Sequence, residues 1–330
     1  MRILIYSSVF YPSIGGIENL TLALAREFLK SGHQVKVITE QVQDPDAPLQ
    51  GIEVVHSSRV AMQLKLFFWC DVLYMPNITL KGVWLFFFNP FKKWVISHND
   101  FHLSNTPGRR SKLKNLVIRG TARNISVSRS VASALPVRST VIYNCYNDAT
   151  FRIYGDAPRD TDFLFVGRLV SQKGCEMLIE ACARLRRDFR LSIVGDGAER
   201  ERLIAKVGAL GLAQRITFVG FMRDEGLAQV MSRHRVMIVP SIRAEGFGIV
   251  ALEGLACGCR MIVSDAGGLP EAIGAFGSVF PTGDVGALAA LLDDCLARPQ
   301  VDPMTEAKMD FLRDHSAPRV ARKYLDFFQA

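Results

Sequence analysis

No apolar run in this 330-residue chain approaches the roughly 20 residues that cross a bilayer as a helix, which excludes a helical membrane span. The N-terminal MRILIYSSVFYPSIGG is too short and too glycine-punctuated for a signal peptide and reads as a first strand. The seven cysteines follow no spacing rule. Cys257-Gly-Cys259 is an isolated close pair without metal-ligand neighbours, so neither a disulfide framework nor a zinc site is indicated, and reduced thiols in a cytoplasm are expected. There is no long-range repeat and no low-complexity tract. Acidic residues are scarce in one region only: from Lys81 to Arg138, 11 Lys/Arg face a single acid, Asp100. The net charge of +8 accordingly sits in residues 1–158, with 18 basic and 10 acidic residues, whereas residues 159–330 hold 22 of each. That asymmetry directs the first half towards something anionic.

What is present is ordinary for a soluble globular protein, 49% hydrophobic and 22% charged, and long enough for two domains. Strand patterns at Arg2–Ser7, Val35–Thr39, Ile52–His56, Val72–Met75, Trp94–Ser97, Ile125–Ser128 and Val141–Asn144 alternate with helical ones, among them Ile17–Lys30 and Leu80–Phe88. Gly155–Asp162, charged and holding Pro158, reads as a linker. A second alternation follows: strand Phe163–Val166, helix 175–187, strand Leu191–Val194, helix 198–210 and strand Ile216–Val219. Glu306–Phe328 is helical. The fold class is α/β with two Rossmann-like doubly wound domains, 1–158 and 159–310, and a terminal helix over 311–330.

The most informative stretch is Arg235–Ile273. A buried strand, Val236–Val239, ends at Pro240-Ser241, a polar loop carries Glu245-Gly246-Phe247-Gly248, and a helix from Ile249 to Ala256 stops at Gly258 before the strand Met261–Val263. Glu245 thus lies in a loop at the carboxyl edge, where open parallel sheets bind ligands, and Glu253 on the helix behind it. Gly246 and Gly248 allow close backbone approach, N–H groups at a helix start attract phosphate, and carboxylates accept hydrogen bonds from sugar hydroxyls. Such a set suits a nucleotide-sugar; on the residues alone, a solvated loop acid and a helix-surface acid serve as well. Arg168 and Lys173, around the turn after Phe163–Val166, are placed to neutralise a diphosphate without metal. Two D-x-D triplets, Asp44-Pro-Asp46 and Asp160-Thr-Asp162, lie in a proline-broken loop and before a strand, and both read as structural. Gly15-Gly16 occupies the first strand–helix turn without the spacing of a dinucleotide fingerprint. No metal and no cofactor are expected.

Glu245-Gly-Phe-Gly-Ile-Val-Ala-Leu-Glu253, Ala256-Cys-Gly258 and Gly267-Gly-Leu-Pro-Glu271 resemble the E-x7-E region of retaining GT-B glycosyltransferases, a family that includes phosphatidylinositol mannosyltransferases and lipopolysaccharide glucosyltransferases. The likeness continues through Gly167-Arg-Leu-Val-Ser-Gln-Lys-Gly174, Val194-Gly-Asp-Gly197 and Pro12-Ser-Ile-Gly-Gly-Ile-Glu18, and so spans most of the chain. It implies two domains facing across a cleft, with the terminal helix packing back on the first. It implies donor binding by Gly15, Gly16, Arg168, Lys173, Gly246, Phe247, Gly248, Ile249 and Glu253, with Glu253 on the ribose and Glu245 on the transferred sugar. His98, at a strand end in Ser97-His-Asn-Asp100, is more often structural on residue grounds; the resemblance places it against the donor's hydroxyls. Asn144-Cys-Tyr-Asn147 departs from the family's N-G-[IV]-D, which leaves donor contact there in doubt.

Leu64–Cys70 and Val83–Trp94 set aromatics beside lysines, a combination that serves a core helix or a bilayer headgroup region. The expectation is a cytoplasmic, retaining hexosyltransferase acting on a UDP- or GDP-sugar and a lipid-linked acceptor of the cell envelope, with the first domain against an anionic membrane. A donor-site hydrolase or epimerase on the same fold is the enzyme alternative. A nucleic-acid binder using the basic half is disfavoured, because no nucleic-acid module is present and the aromatics flank the basic run without interleaving with it.

Overall fold

A computed structural model describes residues 1–8, 10, 15–40, 49, 51–56, 59–101, 109–120, 122–155, 159–298 and 303–330. The Asp44-Pro-Asp46 triplet and Pro12-Ser-Ile14 lie outside the described residues. The chain forms two compact units, Met1–Cys145 with His315–Ala330, and Tyr146–Asp314.

The first unit runs β1 (Arg2–Tyr6), α1 (Gly16–Lys30), β2 (Gln34–Thr39), β3 (Glu53–His56), α2 (Val60–Trp69), β4 (Val72–Pro76), α3 (Leu80–Val83), β5 (Lys93–His98), α4 (Arg109–Gly120), β6 (Ala122–Ser126), α5 (Arg129–Ala134) and β7 (Thr140–Val141). All neighbours pair parallel in the order β3-β2-β1-β4-β5-β6-β7. The order reverses between β1 and β4, the topological switch point. Leu73, Met75, Trp94 and Ile96 anchor the core beneath α2 and α3. Two elements differ from the sequence reading. The helix at 80–88 tightens after one turn into a 3-10 segment, Trp84–Phe87. The strand expected to reach Asn144 stops at Val141, where its pairing with its one neighbour, β6, ends at Ser126.

The second unit runs β8 (Thr161–Val166), α6 (Cys175–Cys182), β9 (Leu191–Val194), α7 (Arg200–Ala209), β10 (Ile216–Gly220), α8 (Asp224–Arg233), β11 (His234–Val239), α9 (Ile249–Ala256), β12 (Arg260–Ser264), α10 (Leu269–Ile273), β13 (Gly277–Phe280), α11 (Val285–Ala297) and α12 (Glu306–Asp314). The strands are parallel in the order β10-β9-β8-β11-β12-β13, with the switch point between β8 and β11. Thr161 and Asp162, read from sequence as linker, open β8; Asp162 is buried, pairs with Arg235 and accepts from Arg190 N at 2.9 Å. Helix α6 ends five residues early, since Arg184 N and Leu185 N bond three residues back rather than four.

The terminal helical region breaks at His315-Ser316, and α13 (Ala317–Gln329) returns to the first unit. There Phe328 meets Phe28 and Tyr74 with ring centroids 5.6 and 5.7 Å apart, Tyr324 meets Tyr74 at 5.6 Å, and Lys93 Nζ donates to Gln329 O at 3.2 Å, satisfying a helix-end carbonyl.

Candidate active site

At the switch point of the second unit, the loops after β8 and β11 leave the sheet side by side. Ile242 N donates to Gln172 O at 3.0 Å and joins them. The β8 loop turns through Gly174, whose φ of +71° is left-handed and whose absent Cβ would lie 1.8 Å from Pro240 O; only glycine lets the two loops touch here. That turn presents Lys173, whose Nζ meets Glu245 Oε1 at 2.6 Å, and the Ser241 hydroxyl donates to the same oxygen. The Glu245 backbone is held as firmly: its N–H donates to Ala266 O at 3.3 Å, its carbonyl accepts from Gly268 N at 2.8 Å, and it bridges Gly267. A Cβ on Gly267, at φ +70°, would stand 2.3 Å from Glu245 O. The carboxylate is thus fixed on both main chain and side chain, with one oxygen shared by an ammonium and a hydroxyl.

Gly246, Phe247, Gly248 and Ile249 follow directly. Phe247 is buried and anchors the loop, and Gly248 precedes α9, so the free N–H groups of that helix begin beside Glu245. Arg168 is exposed on the neighbouring loop, which is braced against the β9 loop by Leu169 N donating to Asp196 O at 2.8 Å and by Gly195 packed on Gly167. Glu253 lies partly buried on α9. Burial pushes its carboxyl up to about 7, and the Asp224 carboxylate at the head of α8 adds to the rise. The geometry therefore groups Arg168, Lys173, Glu245, the Gly246–Ile249 backbone and Glu253 on one unit: two cations, one fixed carboxylate, a helix start and a second acid. Sequence reasoning missed Ser241. A hydroxyl residue closing a strand four positions before the loop acid was the available signal.

Gly15, Gly16 and His98 belong to the first unit. Gly15 is the N-cap of α1, with extended backbone, and Gly16 opens the helix. His98 ends β5 fully buried, with Nε2 2.9 Å from Asn124 Oδ1. Asn124 Nδ2 donates to Ile118 O at 3.1 Å, which fixes the amide and puts the imidazole proton on Nε2. The side chain thus ties β5 to β6, whose Asn124 in turn reaches α4, and it presents no surface of its own. Asn147, at the place of the resembled acid, organises a turn instead: its side chain donates to Thr150 Oγ1 at 2.8 Å and its carbonyl accepts from Phe151 N at 2.8 Å. Among the described residues, no group of three His, Cys, Asp or Glu is arranged to hold a metal ion.

Residues 147–309, nearly coextensive with the second unit, match the family model for glycosyl transferases group 1. The chain is 35% identical over 148 residues to D-inositol 3-phosphate glycosyltransferase of Mycobacterium sp. strain KMS, a span of 43% of this chain and 33% of that protein. It is 36% identical over 146 residues to the GDP-mannose-dependent alpha-(1-6)-phosphatidylinositol monomannoside mannosyltransferase of Mycolicibacterium smegmatis, 41% of this chain and 38% of the relative. The matches span about a third of the length of these curated relatives. In three dimensions the whole chain superposes on Anabaena HepE, solved with UDP and glucose, at a TM-score of 0.84 and 19% identity, covering 100% of this chain and 99% of that one. Residues 147–309 are a group 1 glycosyl transferase domain, and the chain as a whole has the two-domain GT-B fold.

Proposed function

We propose that the protein moves a hexosyl group from a UDP- or GDP-sugar bound by the second unit to an acceptor recognised by the first, with retention at the anomeric carbon and without a metal. The observation that carries this reading is the Glu245 carboxylate, fixed by Lys173 and Ser241 at the switch point and followed at once by the start of α9. A diphosphate seated on those N–H groups is flanked by Arg168 and Lys173, which offset the charge of the departing nucleotide. Glu245 then accepts from hydroxyls of the transferred sugar, and Glu253 from the ribose. The names of the relatives support the donor class, one being GDP-mannose-dependent and one structural neighbour having been solved with UDP and glucose. The acceptor is lipid-linked, as in envelope polysaccharide or glycolipid assembly, and the enzyme works from the cytoplasm at the inner membrane face.

Thermal melts of the full chain with UDP-, GDP- and ADP-sugars test the donor site, because saturating ligand raises stability by RT ln(1 + [L]/Kd). One nucleotide class is expected to stabilise the protein. Turnover with an envelope lipid extract, followed by NMR of the new linkage, is expected to show retained configuration and survive chelator. Stabilisation by no nucleotide-sugar overturns the reading. Donor consumption without an acceptor reassigns the protein as a hydrolase or epimerase.

A further inference from the structure

We infer that the segment Trp84–Phe91, with the outer face of α4, is a membrane-insertion element that seats the first unit on an anionic bilayer. This deepens the lipid-acceptor reading, but its test uses no sugar. Phe91 is 95% exposed, Phe87 74% and Phe88 51%. Scattered surface phenylalanines need no explanation, but these are held out by structure. Phe91 N donates to Asn89 Oδ1 at 3.1 Å, and Lys92 Nζ caps α2 by donating to Phe67 O and Cys70 O at 2.5 Å each. The tip is therefore fixed on both sides of Phe91, with its ring left in solvent. Behind it, a spine of ring contacts runs from Phe87 through Phe86 and the buried Trp94 to Phe67 and out again at Phe68, 57% exposed, each step 5.6–6.0 Å. Phe87 and Phe68, packed against this spine, lose less conformational entropy on entering a lipid interface than free side chains would.

The occupant is set by charge. Helix α4 packs on α3, and Val117 and Ile118 are buried while Lys112, Leu116 and Arg119 are exposed at helical spacing on its outer side. Leu116 is 68% exposed. Between Lys81 and Arg138 there is one acid for 11 bases. Lys81 pairs with Glu40, Lys92 and Lys93 cap carbonyls and Arg123 stacks on Phe327, so the exposed Lys112 and Arg119 of α4 carry the charge that this face presents. A protein partner with an apolar patch would not require that imbalance. An anionic headgroup layer does, with phenylalanines below it and cations at the phosphate level.

The experiment is flotation of the full-length protein with phosphatidylglycerol–phosphatidylcholine vesicles and with phosphatidylcholine alone. Two variants are compared, Phe87→Ser/Phe91→Ser and Lys112→Glu/Arg119→Glu, each checked for an unchanged melting temperature; all four positions are exposed, so folding is expected to survive. Wild type is expected to float with the anionic vesicles only. The serine pair is expected to lower partition at least tenfold, and the charge pair at least twentyfold, since each cation near the surface contributes about fivefold. In about 1 M salt, where screening shortens to about 3 Å, wild-type binding is expected to fall as well. No wild-type flotation, equal binding to neutral vesicles, or an unchanged serine pair each overturn the inference. Self-association of the wild type abolished by the serine pair also overturns it, and assigns the patch to a second copy of the chain.

Discussion

Glu253 is the acid whose protonation bears on both stability and ligand. Its folded pKa, raised to about 7 by burial, exceeds the ordinary glutamate value, so ionising it costs folding energy. The cost is absent below pH ~4.5, grows as pH rises and is complete above ~7. Replacing Glu253 by Gln is therefore expected to raise the melting temperature relative to wild type above pH 7, and to leave it unchanged near pH 4.5. A difference independent of pH would place the proton elsewhere. If the carboxylate accepts from the ribose, nucleotide affinity in wild type falls as pH drops below 7, and in Glu253→Gln it is weak at every pH, by calorimetry. Glu245→Gln should instead bind nucleotide nearly normally and lose kcat and kcat/KM together. Arg168→Ala and Lys173→Ala should each lose about 1.5–3 kcal/mol of diphosphate binding; unchanged affinity in both removes them from the site. The positions of Arg168, Lys173 and Glu245 were legible because each stands in a loop after a strand, beside a glycine. What the sequence could not show is that Lys173 holds Glu245 at 2.6 Å. That contact joins residues 72 positions apart and depends on β8 and β11 being neighbours.

Elements were most legible where burial and punctuation agree. Helix α9, bounded by Gly248 and Gly258, lies where the pattern places it, and the buried strands β4, β5, β8, β9 and β11 follow their apolar runs. Failures fall on elements with weak contrast. Strand β13 is an edge strand with Val279 46% exposed, so it shows no apolar run. Helix α11 is apolar almost throughout and has little periodicity to read. Helix α8 did carry a signal, two acids in its first turn and Leu227, Ala228 and Met231 on one side. The β11–α9 loop depends on the β12–α10 turn below it. Gly267→Ala puts a methyl 2.3 Å from Glu245 O in a left-handed backbone, and is expected to destabilise the protein by about 1–3 kcal/mol. Nucleotide affinity should fall in parallel. Urea unfolding beside calorimetry checks this; a stable variant with normal affinity would mean the turn is not what holds Glu245.

At the scale of the whole molecule, the two strand–helix alternations were readable and so was the charge asymmetry, since both are properties of sequence alone. The partner of α13 was not readable from its own pattern, because a helix's apolar stripe does not say which surface covers it; the family resemblance pointed to the first domain, where α13 packs. Phe328, fully buried against Phe28 and Tyr74, should cost about 3–5 kcal/mol on replacement by Ala, seen as a lower urea midpoint for the first unit. An unchanged midpoint would show that α13 is dispensable there. The return of His315–Ala330 to a unit begun by Met1–Cys145 also sets an order of events on the ribosome. Residues 146–314 emerge between the two pieces, which takes roughly ten to thirty seconds at typical elongation rates. During that interval the second unit can finish folding while Phe28 and Tyr74 wait uncovered, so the first half of the chain to be made is the last to be completed, and it is the half that nascent-chain chaperones have most reason to hold.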